Sequence, residues 1–208
     1  MDKEAMLSEA LNLLKVLIST PSMSREEEAA ANALQNYMER SGILTNRSGN
    51  NVWCVSPQFS LDKPTLLLNS HIDTVKPVSG WQKQPFTPTE VNGKLYGLGS
   101  NDAGGSLVCL FQTFCRLTRK EQPYNLIFLA SCEEEVSGKN GIESVLPKLP
   151  PIALGIVGEP TEMQPAIAEK GLMVLDVTAH GKAGHAAREE GDNAIYPALT
   201  DIEWVRTY

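Results

Sequence analysis

Residues 65–74 read Thr65-Leu66-Leu67-Leu68-Asn69-Ser70-His71-Ile72-Asp73-Thr74, an apolar run that ends on a histidine and an aspartate. The apolar part predicts a buried strand. A buried strand that stops at two polar groups must hand them to something, because leaving either unpaired costs roughly 1–3 kcal/mol or more. A metal ion held by His71, with Asp73 on the other ring nitrogen, would satisfy both. A core histidine with ordinary hydrogen bonds would do so too. The weight therefore rests on the chain that follows.

The pattern recurs downstream. Asn125 to Ala130 predicts a second buried strand, which ends at Ser131-Cys132-Glu133-Glu134-Glu135. Ala153 to Val157 predicts a third, ending at Gly158-Glu159-Pro160-Thr161. In open α/β sheets ligands bind just past the carboxyl ends of the strands, so three such ends carrying acid or imidazole define a candidate site. Between the first two strands lies Gly97-Leu98-Gly99-Ser100-Asn101-Asp102-Ala103-Gly104-Gly105. These glycines lack the G-K-[ST] and the strand-following G-x-G-x-x-G of phosphate loops. Leu107, Leu110, Phe111, Phe114 and Leu117 instead mark a helix beginning just after Asp102. Asp102 is then either its N-cap or a carboxylate open to a cation.

Around these segments the chain reads as alternating helices and strands. Leu7, Leu11, Leu14 and Ile18 predict a helix over 4–19, ended by Thr20-Pro21. Ser24 with Glu27 reads as a capping box opening a second helix, with Ala30, Leu34, Tyr37 and Met38 inward and Ser41-Gly42 as its stop. Strands are expected at Ile43–Thr45 and Val52–Val55, and a hairpin over 87–96 about Asn92-Gly93. Past Ala168, Gly171 to His180 alternates as a half-exposed strand, and Asp192 to about Arg206 reads as a helix with Pro197 in its first turn. A strand and a helix cannot bury a core alone.

Composition narrows the function classes. With 208 residues, 42% hydrophobic, the chain can bury a real core. A net charge of −7 and no basic patch argue against nucleic acid and anionic membranes as partners. Cys54, Cys109, Cys115 and Cys132 show no C-x-x-C spacing and sit in apolar segments, as reduced thiols do. There is no basic and apolar leader and no run approaching the ~20 apolar residues of a membrane span, so the expected location is the cytoplasm.

Histidine plus carboxylates without thiolates suits Zn, Mn or Co. One histidine and several carboxylates suit two ions sharing a bridging carboxylate and a water, which needs a general base that is not a ligand. Adjacent Glu133 and Glu134 could divide those roles. The ordered motifs H-I-D-T at 71–74, S-N-D-A-G-G at 100–105, C-E-E-E at 132–135, G-E-P-T at 158–161 and G-K-A-G-H-A-A at 181–187 resemble those of the M20-type metallopeptidases. The likeness leans toward the acetylornithine deacetylase and succinyl-diaminopimelate desuccinylase branch.

The resemblance implies an α/β fold, a mixed sheet with helices on both faces, in a catalytic domain at 1–165. The beginning of a small α+β lid or dimerisation domain would follow at 166–208. It implies that His71, Asp102 and Glu159 bind one metal ion, with Asp73 orienting His71. Asp102 would bridge to a second ion held by Glu134, Glu133 would be the general base, and His185 would meet the substrate carbonyl oxygen. The two ions would be zinc, or cobalt or manganese. The substrate would be a small N-acyl amino acid such as N-acetyl- or N-succinyl-ornithine, in arginine biosynthesis, and the intact enzyme a homodimer through the lid. A di- or tripeptidase with the same metals, and a non-catalytic module, are the competing readings. Two departures stand out. No lysine follows Asp102 where many relatives carry one, and none of the three histidines, 71, 180 and 185, fits the family's last metal ligand. The expectation is an amino-terminal portion of a longer enzyme.

Overall fold

The computed structural model of the chain describes residues 3–168, 170–171, 173–185, 187–188 and 190–208. They form two compact units, Met1–Gln164 and Pro165–Tyr208. In the first, α1 (Lys3–Ile18) and α2 (Glu28–Arg40) precede β1 (Asn46–Ser48), β2 (Asn51–Val55), β3 (Thr65–His71) and the ribbon β4 (Thr89–Val91) and β5 (Lys94–Tyr96). Then come α3 (Ser106–Leu117), β6 (Asn125–Ser131), the short α4 (Ile142–Val145) and β7 (Leu154–Val157).

Five strands make one mixed sheet in the order β1-β2-β6-β3-β7. β3 runs parallel to both β6 and β7, whereas β2 is antiparallel to β6. The two faces are covered unequally. Val52, Cys54, Leu68, Leu126, Phe128 and Ala130 pack under α1, α2 and α3. Their sequence alternates, Trp53, Leu67, Ile127 and Leu129, pack with Val145 of α4 and the chain that follows it. Every residue of β6 is therefore buried, which is why its sequence is apolar throughout rather than alternating.

Several local expectations are corrected. No capping box forms at α2: Ser24 donates to Asp73 at 2.7 Å, and Glu27, the residue before the helix, makes no side-chain cap bond. The first strand starts at Asn46 rather than Ile43, because the loop closes tightly at Gly49-Asn50 and the ladder runs up to it. Asp102 does not cap α3, which begins at Ser106 after an irregular turn at 100–105. β7, read as buried, is an edge strand with Leu154, Ile156 and Val157 exposed, since it pairs with β3 alone among the described residues. The hairpin stands as expected, with Asn92 and Gly93 at positive φ, as a two-residue turn of that hand requires. All four cysteines are free thiols, Cys109 being exposed.

In the second unit α5 (Ile195–Thr207) starts three residues later than Asp192. Asp192 is instead bridged to Lys182 by two 2.9 Å backbone hydrogen bonds, and the Asn193 side chain accepts from the Ile195 N–H. The strand expected at 171–180 does not form: described residues 173–180 carry no ladder, and Leu172 lies outside the described residues. Its alternation is present, but a strand needs a neighbour to satisfy its backbone, and Met173, Leu175 and Val177 stand exposed. No helix among the described residues is long and apolar enough to cross a membrane.

Candidate metal centre

β3 and β6 pair in register to their ends, His71 opposite Ser131, and β7 ends at Val157 opposite Asn69. Continuing each strand by two residues delivers Asp73, Glu133 and Glu159 to one edge of the sheet. The fourth contributor is the turn at 100–105, pressed against α1. A Cβ on Gly104 would lie 2.5 Å from the Gly99 carbonyl oxygen and 2.8 Å from Leu14 Cδ1, so this close approach requires glycine.

His71 is the hub and is 2% exposed. Its Nδ1 lies 2.9 Å from the Asp73 carbonyl oxygen and 3.4 Å from Asp73 Oδ1. Its Nε2 faces Asp102 Oδ1 at 3.1 Å, with Glu134 Oε2 and Glu159 Oε2 each at 3.8 Å. Ligand atoms of His71, Asp102 and Glu135 all lie within 4.8 Å of one another. Fixing Nδ1 leaves Nε2 as the atom free for a metal, the arrangement expected around a ligating imidazole. Glu134 and Glu159 line a cleft of about 420 Å³ with His71, Asn69 and Glu143.

Asp73 does more than orient the ring. Buried to 1% exposure, it accepts from Ser24 Oγ and from the backbone N–H groups of Glu134 (3.1 Å) and Glu135 (3.2 Å). Burial pushes its carboxyl up, but the hydrogen bonds from His71, Ser24 and the Glu134 amide, with the His71 charge, hold it below the usual range.

Glu133 behaves differently from its neighbours. It is 6% exposed, with φ +55°, and its carboxylate accepts from Asn140 Nδ2 at 2.8 Å and the Asn140 N–H at 3.4 Å. Its side chain packs where a Cβ on Gly138 would stand. His185 is exposed in the second unit, its Nδ1 accepting from the Ala187 N–H at 3.2 Å. The residue missing from the sequence reading is Glu135. A run of three glutamates carries no signal for its register, because the turn to positive φ at Glu133 breaks the strand's alternation.

Negative charge is in excess here. Burial, then Asp102, Glu134 and Asp73, raise the Glu135 carboxyl, with His71 opposing; burial, then Glu134, Asp102 and Glu135, raise that of Glu159, again against His71. Burial pulls the His71 imidazole down, but the hydrogen bond and charge of Asp73, with Glu159 and Glu134, outweigh it and push its pKa up to about 9 from 6.5. The donor set of one imidazole and several carboxylates, short of cations, fits a hard or borderline divalent ion. The sign follows. His71's contribution to the stability of the metal-free chain is complete below about pH 6.5 and is lost as pH rises through about 9. An ion must displace that proton, so loading the metal-free chain with zinc at pH 7 should release about one proton. Titration calorimetry in buffers of different ionisation enthalpy reads this number, and a value near zero would show that the imidazole of the metal-free chain carries no extra proton at pH 7.

The sequence profile described as peptidase family M20/M25/M40 matches residues 67–205. An acetylornithine deacetylase of Proteus mirabilis is 33% identical, over 94% of this chain and 55% of that protein. The chain spans about half the length of the curated relatives it matches. Among solved structures, an M20 family metallo-carboxypeptidase from Sulfolobus solfataricus superposes with a TM-score of 0.59 at 27% identity, over 76% of this chain and 37% of that one. A tripeptidase from Staphylococcus aureus shares the fold, with a TM-score of 0.59 at 18% identity over 94% of this chain and 56% of that one.

Proposed function

This chain belongs to peptidase family M20/M25/M40, and from that premise we propose that it carries most of the metal centre of a two-metal amide hydrolase acting on N-acyl amino acids. The observation that carries the reading is His71, its Nδ1 held by Asp73 and its Nε2 turned into a ring of carboxylates. When bound, a pair of divalent ions, zinc by preference, would supply an acidified water and a Lewis acid for the amide carbonyl.

The chain's own residues divide the remaining work. His71, Asp102 and Glu159 would hold one ion, and Asp102 and Glu135 would serve the second. The family resemblance implied Glu133 as base and Glu134 as ligand. The geometry favours moving both roles on by one residue. Both glutamates line the cleft, but the Glu133 carboxylate is engaged by Asn140, whereas that of Glu134 lies 3.8 Å from His71 Nε2 and Glu135 supplies the third member of the close trio with His71 and Asp102. In this reading Glu134 takes the proton of the attacking water and returns it to the leaving nitrogen. His185 remains the proposed contact for the substrate carbonyl oxygen, the 166–208 segment the proposed lid and dimer interface, and the cytoplasm the proposed location.

Ornithine as the amino acid rests on the acetylornithine deacetylases among the relatives. The full-length protein should hydrolyse N-acetyl- or N-succinyl-ornithine with a higher kcat/KM than succinyl-diaminopimelate or dipeptides. A panel of these substrates tests it, and a clear preference for dipeptides would replace the deacylase reading with a peptidase one.

A further inference from the structure

Three successive backbone N–H groups of the acidic turn donate to two buried carboxylates from elsewhere in the chain. Glu134 and Glu135 donate to Asp73, as described; Glu133 donates to Oε1 of Glu27 at 3.2 Å. Glu27 is 0% exposed. Its other bonds come from the Arg25 N–H at 2.6 Å and from Asn50 Nδ2 at 2.9 Å. A buried carboxylate carries a large desolvation cost, and here it faces hydrogen-bond donors, with no ion pair among the described residues. Capping does not explain it, since its side chain makes no bond to the start of α2.

The segment that carries Glu27 is also tied to the histidine loop. The Thr74 N–H donates to the Ser22 carbonyl at 2.9 Å, the Ser24 N–H to the Thr74 carbonyl at 3.2 Å, and Ser24 Oγ to Asp73. Residues 22–27 thus form a strap with one end on the His71–Thr74 loop and the other on the acidic turn. The turn needs such a hold. Glu133 sits at φ +55°, a left-handed conformation that a residue with a Cβ keeps only where its surroundings fix it. Mutual repulsion among Glu134, Glu135, Asp102 and Glu159 would also drive the turn outward.

We propose that Glu27 is a positioning residue of the metal centre, its buried carboxylate holding the Glu133 amide so that Glu134 and Glu135 stand at working distance from His71 and Asp102. The inference rests on the metal-centre reading above. Aspartate at 27 keeps the charge but is one methylene too short to reach the Glu133 N–H; glutamine keeps the length and an acceptor oxygen for the Glu133 and Arg25 N–H groups, its NH₂ facing only Asn50 Nδ2, away from the acidic turn.

The test is Co²⁺ added alone to the metal-stripped 208-residue chain, with affinity read by chelator competition and geometry by the visible absorption spectrum. Glu27→Asp should weaken binding by about 10-fold or more, the range of residues that orient ligands, and alter the spectrum. Glu27→Gln should stay within about 3-fold with the parent spectrum. Parent affinity and spectrum in Glu27→Asp, or an equal loss in Glu27→Gln, would overturn the positioning role while leaving the metal centre intact. Failure of the parent chain to bind Co²⁺ would instead remove the metal-centre reading itself.

Discussion

Asp102→Ala should lower the affinity of the metal-stripped chain for Zn²⁺ by on the order of 10²-fold or more, the largest loss expected from any single ligand. Asp102 is the carboxylate nearest the histidine, Oδ1 standing 3.1 Å from His71 Nε2, and it is the proposed bridge shared by both ions. Its side chain is 56% exposed, so truncation opens no cavity, but it takes the 3.1 Å partner from the Nε2 of buried His71 and should cost about 1–3 kcal/mol of stability in the metal-free chain. Circular dichroism separates a lost site from a lost fold. The parent chain is expected to hold one ion tightly, through His71, Asp102 and Glu159, and a second weakly, since Asp102 and Glu135 alone give it too few ligands. Isothermal titration decides both points. Undiminished affinity in Asp102→Ala would remove it from the ligand set, and two tight ions in the parent would mean another residue completes the second site.

The sheet was legible because burial on both faces writes itself as unbroken apolar runs. Leu66–Leu68 and Leu126–Ala130 announced their strands and where they stop. The gathering of polar groups at one sheet edge was legible for the same reason: polar groups just past a buried strand have few explanations, and His71, Asp73, the acidic turn and Glu159 do meet there. Tertiary choices within the site were not. Ser24 and Glu27 have the spacing of a capping box, but bonds to Asp73 and to the Glu133 amide compete for the same side chains and win. Such long-range partners, 49 and 106 residues away, leave no local pattern. The strand at 171–180 failed for the complementary reason. Alternation states which face is apolar but does not supply a neighbour to pair with.

The register of the acidic turn is the point where sequence and geometry diverge most, and kinetics resolves it. A general base must reach the attacking water without being a ligand and without being fully engaged by other donors. Glu133 accepts two hydrogen bonds from Asn140 and packs against Gly138. Glu134 has its backbone tied, the N–H to Asp73 and the carbonyl to the Ser137 N–H, while its 54% exposed side chain opens on the cleft 3.8 Å from His71 Nε2. In the full-length protein Glu134→Gln should therefore lower kcat by about 10²–10⁴-fold with metal content unchanged. Glu133→Gln should keep kcat within about 10-fold, but sets an amide NH₂ against the Asn140 donors and should destabilise the fold by about 1–3 kcal/mol. Metal analysis beside steady-state rates and thermal unfolding distinguishes the two. The opposite pattern, with Glu133→Gln inactive but metal-replete and Glu134→Gln short of metal, would return the base to Glu133 and the ligand role to Glu134. The Asn140 contacts would then describe a resting position that the base leaves when substrate binds.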